Sequence, residues 1–292
     1  MSFSYLICTS SEGSPLVLKT PLTGEKRPYD VDSCCEYLID YYDCSQTAQT
    51  IQNDTSHIEH WWDRKWQVCL DYYLFTPAQE EASITSSDFS VVSEKIDVML
   101  PNQKVGSQLS PLEALVNRKT YRKFQEKPLS LDITSILLSE LNNELFHGIW
   151  KYYVVAFNVE DIAPGIYCFH PDQHGLSLIK GGMFRQKVVE LLCGMSASLT
   201  ASFLIILSID IQKAMGKFSY NRALREMYID SGRLAQKLLL KGMQYHVGGL
   251  PSPAMRDSKM CEFLNIESDE FIPIYTLAMG IIPGKNLNTD GN

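Results

Sequence analysis

The octapeptide "NRKTYRKF", Asn117 to Phe124, gathers Arg118, Lys119, Arg122 and Lys123 in a chain of 292 residues whose formal charge is −8. Cations concentrated against an acidic background serve either an anion or a solvated surface. An arginine fork holds a phosphate through two parallel charge-assisted hydrogen bonds, and the Thr120 hydroxyl adds a donor. The plainer alternative is a basic stretch that complements the negative end of the preceding helix. That helix has a strong start in "SPLEALVNRK": Ser110 is placed to cap it and Pro111 falls in the first turn. Glu113, three residues after the cap, completes a capping box. From the octapeptide alone, both readings stay open.

The rest of the composition narrows the classes. Hydrophobic residues make up 45% and charged residues 21%, as in ordinary soluble globular proteins. An acidic chain argues against nucleic acid as the main partner, because phosphate neutralisation needs broad positive surface. No run of eighteen apolar residues occurs, so no membrane span is expected. The opening "MSFSYLICTSSEGSPLVLKT" lacks a basic n-region and reads as mature sequence. None of the 8 cysteines forms a CxxC pair, so buried free thiols and a cytoplasmic location are expected. His57 with His60 and His170 with His174 come nearest to metal-ligand spacing. No second cluster supports either pair, and no metal is expected.

Elements that must position the cations follow from periodicity and stop signals. Near the start, "FSYLIC" and "PLVLK" read as strands. "DVDSCCEYLIDYY", "SQTAQTIQ" and the Trp-rich "IEHWWDRKWQVCLDYYLFT" read as helices. Periodicity is lost from Pro77 to Leu109, which reads as a connecting arm, partly extended against the body. After the capped helix, "PLSLDITSILLSELNNE" is helical, with Ser130 or Asp132 as cap. "WKYYVVAFNV" and "PGIYCFHP" are strands, "FRQKVVELLC" is a helix, and the continuous apolar "SFLIILSID" is a buried central strand. The long "YNRALREMYIDSGRLAQKLLLKGMQY" and the short "SKMCEFLNI" are helices, and "FIPIYTLAMG" is the last strand. Helices and strands mixed around one sheet give an α+β domain from about residue 110.

"SPLEALVNRKTYRKFQEKPLSLDITSILL" resembles the opening of nitroreductase-like flavoproteins: a helix, an Arg-Arg/Lys-Ser/Thr-x-Arg/Lys-x-Phe loop, then Pro-Leu-Ser and a helix. The likeness continues in "APGIYCFHPDQHGLSLI", in "RALREMYIDSGRLAQKLLLKGMQYHVGGLPSP" and in "FLNIESDEFIPIYTLAMG", covering roughly residues 110 to 285. Upstream, "EHWWDRKWQVCLDYYLFT" is similar to the lead-in of the azoline dehydrogenase branch, the streptolysin-type and cyanobactin-type oxidases of ribosomal-peptide clusters. The resemblance implies a nitroreductase-like α+β fold that binds FMN. It implies a flavin domain over 110–292 behind a Trp-rich helix and arm over 57–109, and the element order adds an N-terminal module over 1–56, winged-helix-like and peptide-docking.

Carried over residue by residue, Arg118 and Thr120 bind the FMN phosphate and Lys119 supports it. Arg122 faces the N1/C2=O side of the isoalloxazine. Lys285 supplies a further phosphate cation, and "GLPSPAM", with Gly249, Pro253 and Ala254, presents backbone amides near flavin N5. Arg222 and Arg225 match an Arg-x-x-Arg of the long helix. The accompanying Lys-Tyr pair falls on Phe218-Ser219, so Lys217 and Tyr220 flank its place and stand as the general-base candidates. The family's Pro-Ser-x-Gly-Ala loop is missing; Asn142, Asn143, His147 and Gly148 occupy the gap, which makes Asn143 a flavin-adjacent candidate. The implied activity is oxidation of thiazoline or oxazoline rings in a precursor peptide, with hydride passing to flavin N5 and then to oxygen. The implied partners are the precursor peptide, cyclodehydratase subunits and a second copy in a homodimer. Two alternatives stand beside it: an NAD(P)H-dependent nitro or quinone reductase, and a catalytically inactive subunit of a peptide-modifying complex.

Overall fold

All eight residues of "FLIILSID" are buried, as a strand covered on both faces requires. This is the computed structural model's view of the chain, which describes residues 17–19, 26–28, 95–102, 105–142, 146, 148–217, 223–267 and 270–283. The strands are β1 (Val17–Lys19), β2 (Lys26–Pro28), β3 (Val98–Met99), β4 (Trp150–Ala156), β5 (Gly165–His170), β6 (Gly175–Gly181), β7 (Phe203–Asp210), β8 (Val247–Ser252) and β9 (Phe271–Ile281). The helices are α1 (Pro111–Asn117), α2 (Leu131–Ser139), α3 (Arg185–Leu191), α4 (Ile211–Lys217), α5 (Ala223–Met243) and α6 (Asp257–Leu264), with a 3-10 turn at Ser196–Leu199.

The chain divides into two compact units, Met1–Glu81 and Ala82–Asn292. In the first, β1 and β2 pair antiparallel, Val17 opposite Pro28, which places the expected strand of "PLVLK". The expected strand at "FSYLIC" and the helices of "DVDSCCEYLIDYY", "SQTAQTIQ" and the Trp-rich stretch lie outside the described residues.

The second unit holds one antiparallel sheet in the order β3-β6-β5-β4-β7-β9-β8. Period-two alternation along β7 sends Phe203, Ile205 and Leu207 to one face and Leu204 and Ile206 to the other. On the first face they meet Leu137 and Leu138 of α2 and Leu234 and Leu238 of α5. On the second they meet Val188 and Leu191 of α3 and Met260 and Leu264 of α6. Each fully buried Leu or Ile contributes about 1.5 to 3 kcal/mol relative to exposure, so this double-sided packing makes β7 the axis of the domain.

The capping box appears as expected: the Ser110 hydroxyl accepts from the Glu113 N–H, while the Glu113 carboxylate accepts from the Ser110 N–H. These Ser110 donors, the backbone N–H first, hold the Glu113 carboxyl below its usual range. Several expectations need correction. Ser130 takes the N-cap position of α2, but its side chain makes no capping bond. "HGLSLI" and "HVGGLPS" are strands, β6 and β8, where glycine and proline mask the alternation. Pro251 is tolerated because β8 is an edge strand. Helix α4 was not anticipated. Cys168 and Cys261 are buried as free thiols, whereas Cys193 is exposed at a positive φ of 54° just beyond α3.

The end of the connecting arm does lie against the body. Asp97 donates its N–H to Leu176 O, and Leu100 donates to His174 O. His170 and His174, weighed above as a ligand pair, each bond a serine instead: Ser177 at 2.8 Å and Ser135 at 2.7 Å. Both serine hydroxyls donate to arm carbonyls, of Lys95 and Pro101 respectively. Each hydroxyl has one proton, so each imidazole must donate through Nε2.

Candidate functional site

The cation loop begins where α1 stops. Arg118 is the C-cap of α1 with extended backbone, so the chain leaves the helix straight and runs along the edge of β8. Thr120 forms a parallel bridge with Gly249, and the Tyr121 N–H donates to Gly249 O at 3.1 Å. Further on, the Gln125 N–H donates to Ile281 O at 2.9 Å and its side-chain amide to Ile282 O at 2.7 Å. The loop is thus laced to two neighbouring strand ends.

Glycines make the lacing possible. A Cβ on Gly248 would strike the Tyr121 ring and the Ile282 side chain. One on Gly280 would come within 2.9 Å of the Phe124 Cβ and 3.1 Å of the Ser202 N. Phe124 is buried, while Thr120, Arg122 and Lys123 on the same stretch are exposed and Arg118 is half-buried. Burying one aromatic anchor leaves the neighbouring cations facing outward. Lys119 holds its ammonium 5.2 Å from the Tyr121 ring centroid, a cation–π contact. Among the described residues, none of Arg118, Lys119, Arg122 and Lys123 pairs with a carboxylate. Cations that pair with no carboxylate among the described residues, next to a strand edge free of side chains at Gly248 and Gly249, have the donor chemistry for a phosphate group.

The structure brings Arg118, Lys119, Thr120, Arg122 and Gly249 together. Pro253 and Ala254 follow the end of β8 and are exposed, with the Ala254 N–H donating to Ser252 Oγ. They stand four and five residues past Gly249, roughly 13 to 17 Å along an extended chain. Lys285 lies outside the described residues. The described chain ends at Pro283, just beyond the Ile281 and Ile282 carbonyls that Gln125 holds.

Two other candidates, Lys217 and Arg225, belong to elements at the opposite end of the sheet. The cation loop meets β7 at its start, beside Ser202. At its end, Asp210 accepts from the Lys213 N–H and so caps α4, which ends at Lys217. Eight strand residues separate these ends, about 26 Å. The Asp210 N–H donates to Ile149 O, which ties the end of the 142–149 connection to the same place. Arg225 lies in the first turn of α5, half-buried. Helix α5 then runs 21 residues, about 31 Å, back to Met243 on the cation-loop side. Asn143, Tyr220 and Arg222 lie outside the described residues. Of their chain neighbours, Lys217 and Ala223 belong to this far end, whereas Asn142 follows Glu140, which meets Lys237 and Lys241 toward the other end of α5.

The far end has its own buried polar anchor, which no local pattern foretold. Asp230 of α5 is only 3% exposed and accepts from Trp150 Nε1 at 2.8 Å and from Arg233 Nε at 2.6 Å. It fixes α5 against the first residue of β4. Burial first, and the Asp230 charge second, drive the neighbouring Tyr152 hydroxyl far above its usual range, so Tyr152 stays a neutral phenol.

The fold, as distinct from the site, has counterparts among known proteins. No family model matches the chain. A curated relative, the Trifolitoxin operon protein TfxC of Rhizobium leguminosarum bv. trifolii, is 23% identical over a match covering 58% of this chain and 54% of the relative. A solved nitroreductase-type structure from Anabaena variabilis superposes with a TM-score of 0.54 at 20% identity, over 59% of this chain and 38% of that one. Another, from Ralstonia eutropha, gives 0.53 at 18% identity, over 64% and 90%. The chain spans about half the length of the curated relative it matches, and less of the first structure. The fold is nitroreductase-like and α+β. No described helix is long and apolar enough to cross a membrane.

Proposed function

We propose that this chain is an FMN-dependent oxidoreductase that oxidises thiazoline or oxazoline rings of a ribosomally made precursor peptide. The observation that carries the reading is the cation loop: Arg118, Lys119, Thr120 and Arg122 laid along a glycine-cleared strand edge of a nitroreductase-like fold. Arg118 and Thr120 hold the phosphate and Lys119 supports it. Arg122 faces the N1/C2=O side of the ring system, where a cation stabilises negative charge. Gly249, Pro253 and Ala254 approach the ring with their backbone, and Lys285 adds a cation to the phosphate. Bound FMN supplies a two-electron acceptor. The chain's own task is to hold the peptide ring and remove a proton, with Lys217 or Tyr220 as base. Arg222, Arg225 and Asn143 contact the substrate or the flavin.

The separation of Lys217 and Arg225 from the cation loop along β7 supports a homodimer. A two-fold assembly sets the far end of one protomer against the cation loop of the other, which one protomer cannot do alone. Exposed apolar side chains fit such burial: Leu112, Leu115 and Val116 on α1, and Tyr228 and Ile229 on the neighbouring α5. The relative named for a toxin operon supports a peptide setting. In this setting residues 1–56 dock the peptide, 57–109 connect, and 110–292 hold the flavin. Cyclodehydratase subunits are the further partners, in the cytoplasm.

Absorption of the purified protein tests the reading. Bands near roughly 370 and 450 nm are expected from bound FMN; a preparation that stays colourless after incubation with FMN overturns it. Rapid bleaching by NADPH with a quinone acceptor would identify a reductase instead. Undiminished peptide modification by Arg118→Ala, with loss on deletion of the whole chain, would identify an inactive subunit.

A further inference from the structure

We propose that the Thr200 hydroxyl is a positioning group for the cation loop, and that Arg185 preorganises the turn that presents it. The inference rests on the flavin reading for its consequence, though not for its geometry. Phe124, the buried foot of the loop, donates its N–H to Thr200 Oγ1 at 3.1 Å. That contact spans 76 residues of sequence, and it lies two residues from Arg122.

Thr200 is held where a loop threonine would otherwise be free to turn. It is the C-cap of the 3-10 turn, and its N–H donates to Ala197 O at 3.3 Å. The turn is gripped from outside by one guanidinium: Arg185 Nη1 donates to the carbonyls of Ser198, Leu199 and Ala201 at 2.7, 2.9 and 2.8 Å. The Arg185 guanidinium also lies 4.8 Å from the Phe157 ring centroid. A planar, always charged group whose two Nη1 protons, one of them shared, serve the two carbonyls before Thr200 and the one after it fixes the turn's backbone. The Ser198 hydroxyl returns a bond to the Arg185 carbonyl.

The other side of Phe124 is closed by Gly280 and the Ser202 backbone. Ser202 in turn donates its N–H to Met279 O at 2.8 Å. The foot of the loop is therefore set by Thr200 above a rigid sheet floor. The height and tilt of Arg122 and Thr120 depend on it. The signal is invisible locally: nothing near "SASLTASF" marks Thr200 as more than a turn residue.

The test compares the full chain as wild type, Thr200→Val and Thr200→Ser, with thermal melts confirming that all are folded. Amide hydrogen exchange is read at Phe124, and FMN is titrated by quenching of its fluorescence. Valine keeps the shape and removes the acceptor. Thr200→Val is expected to exchange Phe124 about three- to tenfold faster and to bind FMN about three- to tenfold more weakly, the range of one neutral hydrogen bond. Thr200→Ser is expected to restore both. Arg185→Met, which leaves Thr200 in place, is expected to speed the same amide. Unchanged Phe124 exchange in Thr200→Val overturns the anchor. Faster exchange with unchanged FMN affinity overturns its part in cofactor binding. A wild type that takes up no FMN overturns the flavin reading instead, and the exchange comparison alone then decides the anchor.

Discussion

Gly280→Ala is the perturbation that asks most directly whether close approach at the strand end controls the cation loop. The new methyl would stand 2.9 Å from the Phe124 Cβ and Cγ and 3.1 Å from the Ser202 N. Carbon atoms prefer about 3.5 to 4.0 Å, so about 0.6 to 1 Å must be found. Ser202 cannot supply it, because its N–H is committed to Met279 O at 2.8 Å at the root of β7. Phe124 must move, against its own bond to Thr200 and the Gln125 bonds to Ile281 and Ile282. Overpacking of this size costs about 1 to 3 kcal/mol. For a domain of this length each kcal/mol lowers Tm by about 2 to 4 °C. Arg122 moves with Phe124, so weaker FMN binding is expected in the same variant. The control is Gly232→Ala in the middle of α5, where an added Cβ meets nothing within 4 Å. It is expected to raise stability by about 0.5 to 1 kcal/mol through helix propensity. Urea denaturation and FMN fluorescence quenching measure both effects. A Gly280→Ala protein with wild-type stability and wild-type flavin affinity would refute the reasoning.

Other perturbations address the charges and the buried polar groups. Arg118→Ala and Arg122→Ala are each expected to weaken FMN binding by about 1.5 to 3 kcal/mol, the range for a bond to a charged group, and titrations across a salt series should show the loss shrinking at high ionic strength. Equal affinities would remove the loop from the site. Asp230→Ala is expected to destabilise by about 2 to 4 kcal/mol, somewhat below a fully buried pair because Arg233 is partly exposed; Asp230→Asn, which can still accept from Trp150, should lose less by the same urea assay. Burial holds the His174 pKa below its ordinary 6.5, against an opposing hydrogen bond with Pro101. The folded state therefore binds fewer protons than the unfolded one, and this contribution is present above about pH 6.5 and lost as pH falls through the lowered folded pKa. His174→Gln should flatten the stability profile between about pH 7 and 5, and an identical slope in both proteins would exclude His174 as its source.

Much of the α+β framework was legible in the chain because its signals are local. The capping box of Ser110 and Glu113, the apolar run of β7 and the apolar stripe of α5 each appear within a few residues of one another. The cation loop was legible for the same reason. What escaped were the elements whose residues answer to neighbours far along the chain. β8 reads "VGGLPS", poor strand sequence by propensity. Its glycines are there because Tyr121 lies against Gly248 and Leu239 against Gly249. Nothing in the local pattern distinguishes Asp230 from any other polar residue on a helix, because its donor, Trp150, lies 80 residues away.

The sequence by itself determined most of the helices and strands from residue 110 on, though not α4, β6 or β8, and where the cations gather. Those properties arise from backbone periodicity, capping and side-chain charge, all short-ranged. Only the tertiary structure decided the distances between the candidates. One strand, β7, carries the cation loop at its start and the Lys217 helix beyond its end, about 26 Å on. Spacing in sequence says nothing about which ends of a sheet two loops occupy, because antiparallel pairing folds distant residues together and holds near ones apart.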